Sequence, residues 1–196
     1  MKVILASQNQ HKLVELSAIL SQLGFEIALE SEYGLHVDVD ETGTTFEENS
    51  LLKAEAVMKA SGLPVLADDS GLMVDALDGA PGVYSARYGG EGLDDVGRYR
   101  LLLENMRGQT PRTAKFVSVI TCCFPNGDVL SARGECPGTI AFAPMGEGGF
   151  GYDPVFFIPG LKKTFAQLSA QEKNAISHRG NALTAFREKL EQYLNK

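Results

Sequence analysis

Val3-Ile4-Leu5-Ala6 runs into Ser7-Gln8-Asn9-Gln10-His11-Lys12, then into Leu13, Leu16, Ile19, Leu20 and Leu23 at helical spacing, then Gly24 and Phe25-Glu26-Ile27-Ala28-Leu29. A continuous apolar run of four suits a strand buried on both faces. The leucines mark one face of a helix, and Gly24 marks its end. Strand, loop, helix, strand favours parallel pairing and an α/β class.

Outward from this opening, residues 36–43 are acidic and irregular, and Thr44 or Thr45 can cap a helix because Glu47 and Glu48 stand three residues on. That helix should reach about Ser61, with Gly62 closing it. Pro64-Val65-Leu66-Ala67 reads as a strand that stops at Asp68-Asp69-Ser70-Gly71, which would bring two mutually repelling carboxylates to the rim of a sheet. A hard cation with oxygen ligands, such as Mg²⁺, would give a reason for the pair. Farther on come a tight loop at Gly79-Ala80-Pro81-Gly82 and a helix capped by Asp94 or Asp95 carrying Val96, Tyr99, Leu102, Leu103 and Met106. A strand over Lys115–Phe124 turns at Asn126-Gly127 into a return strand, Val129–Cys136. A glycine-rich loop, residues 146–154, enters the strand Val155–Ile158, and Ser169-Ala170-Gln171-Glu172 opens a helical region reaching Leu194. Without repeats or long linkers, residues 1–196 are expected to form one domain.

Composition narrows the function. The hydrophobic fraction of 44% and charged fraction of 22% are those of a globular protein, and a net charge of −7 argues against a nucleic-acid coat or an anionic membrane surface. No apolar stretch has the eighteen or so residues of a membrane span, and the start of the chain, Met1 to Ala6, reads as a strand rather than a signal segment. Cys122, Cys123 and Cys136 have no zinc-type spacing and read as reduced thiols of a cytoplasmic protein, the first two on opposite faces of a strand.

Four groups of residues could carry chemistry. The Ser7–Lys12 turn leads into a helix N-terminus, where N–H groups and the dipole favour phosphate, although an ordinary polar turn looks the same. Lys53 lies mid-helix, and Glu41, Glu47 or Glu48 could approach the aspartates; spacing does not choose among them. Phe150-Gly151-Tyr152-Asp153 offers two rings and a carboxylate for a flat base, although such rings are more often core. Lys173, Ser177, His178, Arg179 and Gly180 cluster near the end, where a glycine predicts a helix break or a close approach.

Seven segments in order, Ser7-x-Asn9-x-x-Lys12, Glu41-Thr42-Gly43, Glu48-Asn49-x-x-x-Lys53, Asp68-Asp69-Ser70-Gly71-Leu72, Gly79 to Tyr88, Gly149 to Pro154 and Ser177-His178-Arg179-Gly180, resemble the inosine triphosphate pyrophosphatase family. The chain departs from the family at Ser7-Gln8, where Thr-Gly is common. The resemblance implies a mixed, twisted central sheet with flanking helices and two lobes around a central cleft, in a homodimer. It also implies Mg²⁺-dependent hydrolysis of the purine nucleoside triphosphates ITP, dITP and XTP to monophosphate and pyrophosphate, with neither nucleic acid nor membrane as partner. By the same resemblance Asp69 is the catalytic base and a metal ligand, and Glu41 the second ligand. Ser7, Gln8, Asn9, Gln10, His11, Lys12 and Lys53 would hold the triphosphate and Ser70 would touch the substrate. Phe150, Gly151, Tyr152, Asp153, Lys173, His178 and Arg179 would hold base and sugar, and Asp68 has no assigned role. A non-catalytic nucleotide sensor and the related Maf-type pyrophosphatases are the competing readings. The water-activating carboxylate argues against the first, and the Ser-His-Arg-Gly and Phe-Gly-Tyr-Asp segments argue against the second.

Overall fold

The computed structural model describes residues 2–22, 24–90 and 92–195. Met1 of the first predicted strand and Leu23 of the first predicted helix lie outside them. The elements are β1 (Lys2–Ala6), α1 (Gln10–Gln22), β2 (Glu26–Leu29), α2 (Phe46–Ser61), β3 (Val65–Val74), α3 (Asp95–Asn105), β4 (Thr113–Cys123), β5 (Val129–Ile140), β6 (Phe156–Ile158), β7 (Lys163–Thr164), α4 (Ala170–Ile176) and α5 (His178–Leu194). The strands form a mixed seven-stranded sheet in the order β2-β1-β3-β4-β5-β6-β7, which makes the protein α/β as expected. The chain divides into two compact units. One comprises Met1–Asp69, Ser118–Gly134 and Arg179–Lys196, the other Ser70–Val117 and Glu135–His178. Among the described residues no helix is long and apolar enough to cross a membrane.

In the first unit β1 lies parallel to β2, with Leu5 opposite Leu29, and parallel to β3, with Ala6 opposite Ala67. Alternation sends Val3, Leu5 and Leu66 into one core with Leu16, Leu20 and Phe186, and Ile4, Val65 and Ala67 into another with Ala54 and Val57. Full burial of each Val, Leu, Ile or Phe among them favours folding by about 1.5–3 kcal/mol. Cys122 falls in the first core and Cys123 in the other, so the expected split across the strand holds. Both thiols and that of Cys136 are free, and burial pushes them up to about 12, 11 and 11. Thr45 caps α2, accepting from the Glu48 amide at 3.2 Å while Glu48 reaches back to the Thr45 amide, and Gly62 ends the helix in the left-handed conformation.

In the second unit Leu72, Leu102, Phe116, Phe156 and Phe165 lie together in one core. β5 outruns its predicted end at Cys136 and reaches Ile140. Gly138 makes this possible, because a Cβ there would meet the Phe156 ring at 2.6 Å and the Phe157 carbonyl at 2.8 Å. Val155, predicted as strand, instead closes a 3-10 turn, Asp153–Val155, ahead of β6.

Two further expectations need correction. β3 does not stop at the aspartates but continues to Val74. What ends at Ala67 is its parallel ladder with β1, because β1 itself ends at Ala6. The break in the last helical region falls at Ser177, which is extended at φ −71° and ψ 158°, whereas Gly180 is a buried residue inside α5.

Candidate functional site

Consecutive residues of an extended strand point to opposite faces, so Asp68 follows Leu66 and Asp69 follows Ala67. The repulsion expected between them is therefore relieved by geometry. Asp68, 2% exposed, accepts from Ser118 Oγ at 2.6 Å, and its Oδ2 lies 2.9 Å from Lys12 Nζ and 3.6 Å from Arg179 Nε. Arg179 Nη1 is bound in turn by Glu15 Oε2 at 2.7 Å. Burial would raise the Asp68 carboxyl, but Lys12, Arg179 and Ser118 hold it well below the usual carboxylate range. Lys12 is itself lowered: burial acts first, and Lys53 and Arg179 add to it against the favourable charges of Asp68 and, more weakly, Asp69.

On the other face Lys53 Nζ lies 2.8 Å from Asp69 Oδ1 and 2.7 Å from Glu41 Oε1. Sequence spacing leaves three glutamates open, and the structure selects Glu41. Glu47 instead pairs with Arg133 at 2.8 Å, and Glu48 is used by the α2 cap. The segment bearing Glu41 is tied down where Gly43 N donates to Asn49 Oδ1 at 2.8 Å; a Cβ on Gly43 would come within 2.6 Å of that oxygen. Ser50 Oγ donates to the Ala67 carbonyl at 3.1 Å, fixing α2 against β3 one residue before the aspartates. Asp69 Oδ2 is buried and has no hydrogen-bond partner among the described residues. Burial raises the Asp69 carboxyl despite Lys53, whereas Lys53 is held above its ordinary value because Asp69 and Glu41 together outweigh burial. Both move up because Lys53 serves two carboxylates, while half of Asp69 has no donor.

The Ser7–Lys12 turn uses its own polar groups. Ser7 Oγ accepts from the Asn9 amide at 3.2 Å, and Asn9 Oδ1 accepts from the Lys12 amide at 3.1 Å, so Asn9 caps α1. Gln8, Gln10 and His11 are exposed beside it. A cavity of about 250 Å³ is lined by Ser7, Asn9, Lys12, Glu41, Lys53 and Asp68 among others.

In the second unit Asp153 Oδ2 accepts from Lys173 Nζ at 2.6 Å and from the Phe150 amide at 2.9 Å. The Lys173 ammonium lies 4.8 Å from the Phe150 ring centroid, and a Cβ on Gly149 would strike Asp153 Oδ2 at 2.0 Å. Gly151 N donates to Asp95 Oδ2 at 2.8 Å, an acceptor left available because Asp94 caps α3. Phe150 is half-buried, but Tyr152 is core, with its hydroxyl on the Ser85 carbonyl at 2.8 Å. His178 stacks on Phe116 at 4.7 Å and 13°. Ser70 is half-buried.

The family resemblance groups Arg179 with the base-holding residues. In the nucleotide-free protein its side chain engages Glu15 and Asp68, joining the Lys12–Asp68 network, while that of its neighbour His178 stacks on Phe116. His178 and Arg179 are both buried, each 3% exposed. Glu15, Ser118 and Phe116 were missed. The available signals were Glu15 three residues after Lys12 on α1, and a lone serine in the apolar run of β4.

Lysines and carboxylates converging on a small cavity beside a helix start are the equipment of an α/β protein that binds polyphosphate. Residues 3–189 match the Ham1 family. A dITP/XTP pyrophosphatase of an Exiguobacterium species is 52% identical over 183 residues, 93% of each chain. One from Thermus thermophilus is 50% identical over 191 residues, 96% of this chain and 91% of that one. The Staphylococcus aureus Ham1 protein superposes with a TM-score of 0.88 at 44% identity, covering 98% of this chain and 100% of that one. A HAM1 protein from Coxiella burnetii gives 0.89 at 42%, covering 98% and 99%. The chain belongs to the Ham1 family, and the recognition drawn from its seven segments is borne out.

Proposed function

We propose that the protein hydrolyses non-standard purine nucleoside triphosphates, dITP, XTP and ITP, to the monophosphate and pyrophosphate, and so removes them from the nucleotide pool. The observation that carries the reaction is the buried, unpartnered Oδ2 of Asp69, set beside Lys53 and Glu41. The substrate class rests on relatives named for dITP and XTP at 50–52% identity. We take residues 1–196 to act as one catalytic domain. A cytoplasmic setting is supported by three free, buried thiols, and a homodimer by the family resemblance.

The first-unit cluster sets three cations, Lys12, Lys53 and Arg179, against four carboxylates, Glu15, Glu41, Asp68 and Asp69. The carboxylate oxygens of Glu41 and Asp69 and the open Asp69 Oδ2 fit a divalent, oxygen-seeking cation, which would also offset the charge of a triphosphate. No group of three or more His, Cys, Asp or Glu suited to a metal occurs among the described residues, and Mg²⁺ typically takes one or two carboxylates plus substrate phosphates. Glu41 and Asp69 would hold it. Once bound it would neutralise phosphate charge and lower the pKa of a coordinated water.

Asp69, its carboxyl raised by burial, would orient the attacking water and take its proton at Oδ2. Water oxygen bonds to the α-phosphorus as the bond to the α,β-bridging oxygen breaks, and Lys12 and Lys53 offset the charge gathering on departing pyrophosphate. Ser70 and the Ser7–Lys12 turn would hold substrate oxygens, and Arg179, engaged with Glu15 and Asp68 in the nucleotide-free protein, would turn to base and sugar. Phe150, Gly151, Tyr152, Asp153, Lys173 and His178 would form the base and sugar subsite, Tyr152 from the core side and Asp153 by fixing Phe150. A buried donor facing a 6-keto group rejects adenine, whose amine would leave it unpaired. A nucleotide panel with Mg²⁺ tests the proposal: pyrophosphate should be released from ITP, dITP and XTP far faster than from ATP or GTP. Orthophosphate as the sole product, or tight binding without turnover, would overturn it.

A further inference from the structure

Two carboxylates from separate parts of the chain converge on one ammonium. Glu41 comes from the irregular segment anchored by Gly43 and Asn49, and Asp69 from β3; Lys53 Nζ lies 2.7 Å from the first and 2.8 Å from the second. The cluster is largely buried, with side-chain exposures of 15% for Lys53, 27% for Glu41 and 6% for Asp69. Asp69 Oδ2, buried with no hydrogen-bond partner among the described residues, marks where more positive charge is wanted.

We propose that Lys53 is a resident counter-cation: in the nucleotide-free protein its ammonium holds Glu41 and Asp69 together and competes with a divalent ion for them. It turns to the phosphates only when metal and nucleotide arrive together. This rests on the reading above that Glu41 and Asp69 are the metal-holding pair.

A divalent ion on these two carboxylates would repel an ammonium already in contact with both. Without phosphate present, Lys53 would give up two close anionic partners for none, so the ion's gain is offset by the lysine's loss. With a polyphosphate present, the flexible four-carbon stem of Lys53 can carry its charge to a new anionic partner, and the carboxylates are released to the ion. Metal and polyphosphate affinities are then coupled, each raising the other by the same factor. Lys53 would act before the chemistry, keeping free divalent ions from filling the site unproductively.

The test is Mn²⁺ binding to the nucleotide-free, full-length protein at one fixed neutral pH, read from the electron paramagnetic resonance of unbound Mn²⁺. Lys53→Met removes the ammonium. Lys53→Gln also removes the charge but keeps an amide that can donate to the same carboxylates, which guards against a Met variant that fails to fold. Both should bind Mn²⁺ at least about fivefold more tightly than the wild type, the lower end of ordinary coupling between sites. Lys53→Arg, which keeps a competing cation, should stay near the wild type. Equal or weaker Mn²⁺ binding by the neutral variants overturns the counter-cation role and leaves the hydrolytic reading standing, since wild-type pyrophosphate release judges that separately. Absence of Mn²⁺ binding in every variant overturns both this inference and the assignment of Glu41 and Asp69 to the metal.

Discussion

Removing the Lys173 ammonium tests how the second unit shapes its loop. Lys173 and Asp153 are a buried pair, with side chains 6% and 4% exposed and Nζ 2.6 Å from Oδ2. The same carboxylate oxygen receives the Phe150 amide, and the ammonium lies over the Phe150 and Phe165 rings at 4.8 and 5.6 Å. Lys173→Met keeps most of the apolar stem and leaves a carboxylate buried against aromatic rings. Removing one member of a buried pair costs about 3–5 kcal/mol. At about 2–4 °C per kcal/mol for a chain of this size, Tm should fall by about 6–20 °C. Asp153→Asn should cost a similar amount for the converse reason, a buried ammonium deprived of the Asp153 charge. The double variant strands no charge, and an Asn oxygen can still accept from the Phe150 amide, so its cost should fall well below the sum of the singles. Urea denaturation of the three variants closes the cycle. A loss under about 1 kcal/mol for Lys173→Met, the value of an exposed ion pair, or strict additivity in the double variant, would refute the argument. In the nucleotide assay Lys173→Met should raise KM more than it lowers kcat, as expected when binding rather than chemistry is lost.

Asp69→Asn should cut pyrophosphate release by about 100-fold or more, the usual contribution of a general base, while raising Tm at neutral pH. The sign follows from the raised carboxyl: between its unfolded and folded values the folded protein holds more protons, so stability falls as pH rises, and above that window the full cost of a buried charge is present. A lower Tm in the Asn variant would contradict this. Asp68 has the opposite sign, because its depressed carboxyl contributes stability that is complete above the ordinary carboxylate value and is lost as pH falls below it. Asp68→Asn should therefore flatten the decline in stability below about pH 4, measured by calorimetry across the acid range, and an unchanged slope would remove Asp68 from the ionic network.

What was legible in the sequence was whatever local periodicity and capping decide. The opening β-loop-α-β unit, the Thr45–Glu48 cap, the Asn126-Gly127 turn and the split of Cys122 from Cys123 all depend on residues within a few positions of one another. The course of β3 past Asp68 was not legible, because Asp-Asp-Ser-Gly carries the composition of a turn. It stays in a strand because each aspartate meets a lysine distant in sequence, Lys12 or Lys53. The choice of Glu41 over Glu47 and Glu48 required knowing which carboxylates the α2 cap and Arg133 had already engaged. The contacts of Arg179 were not legible for a related reason. Adjacency to His178 in sequence says nothing about side chains that diverge, and its partner Glu15 lies 164 residues away.

The paired aspartates are the point where local and tertiary reasoning meet. In a turn, two adjacent carboxylates would face each other and need a shared cation. In a strand they are separated by the pleat, and each must be neutralised on its own face. On one face neutralisation is ample: Asp68 has Lys12, Ser118 and Arg179, and its carboxyl is depressed. On the other it is incomplete: Asp69 has Lys53 on one oxygen and nothing among the described residues on the other, and its carboxyl is raised. A fold selected for stability alone has no reason to leave that oxygen unserved, since an unsatisfied buried acceptor costs about 1–3 kcal/mol. The proposed division of roles rests on this asymmetry between neighbours of identical chemistry: Asp68 is paired with Lys12 and Arg179, and the unmet demand at Asp69 is where the proposal places the ligand and the reacting water.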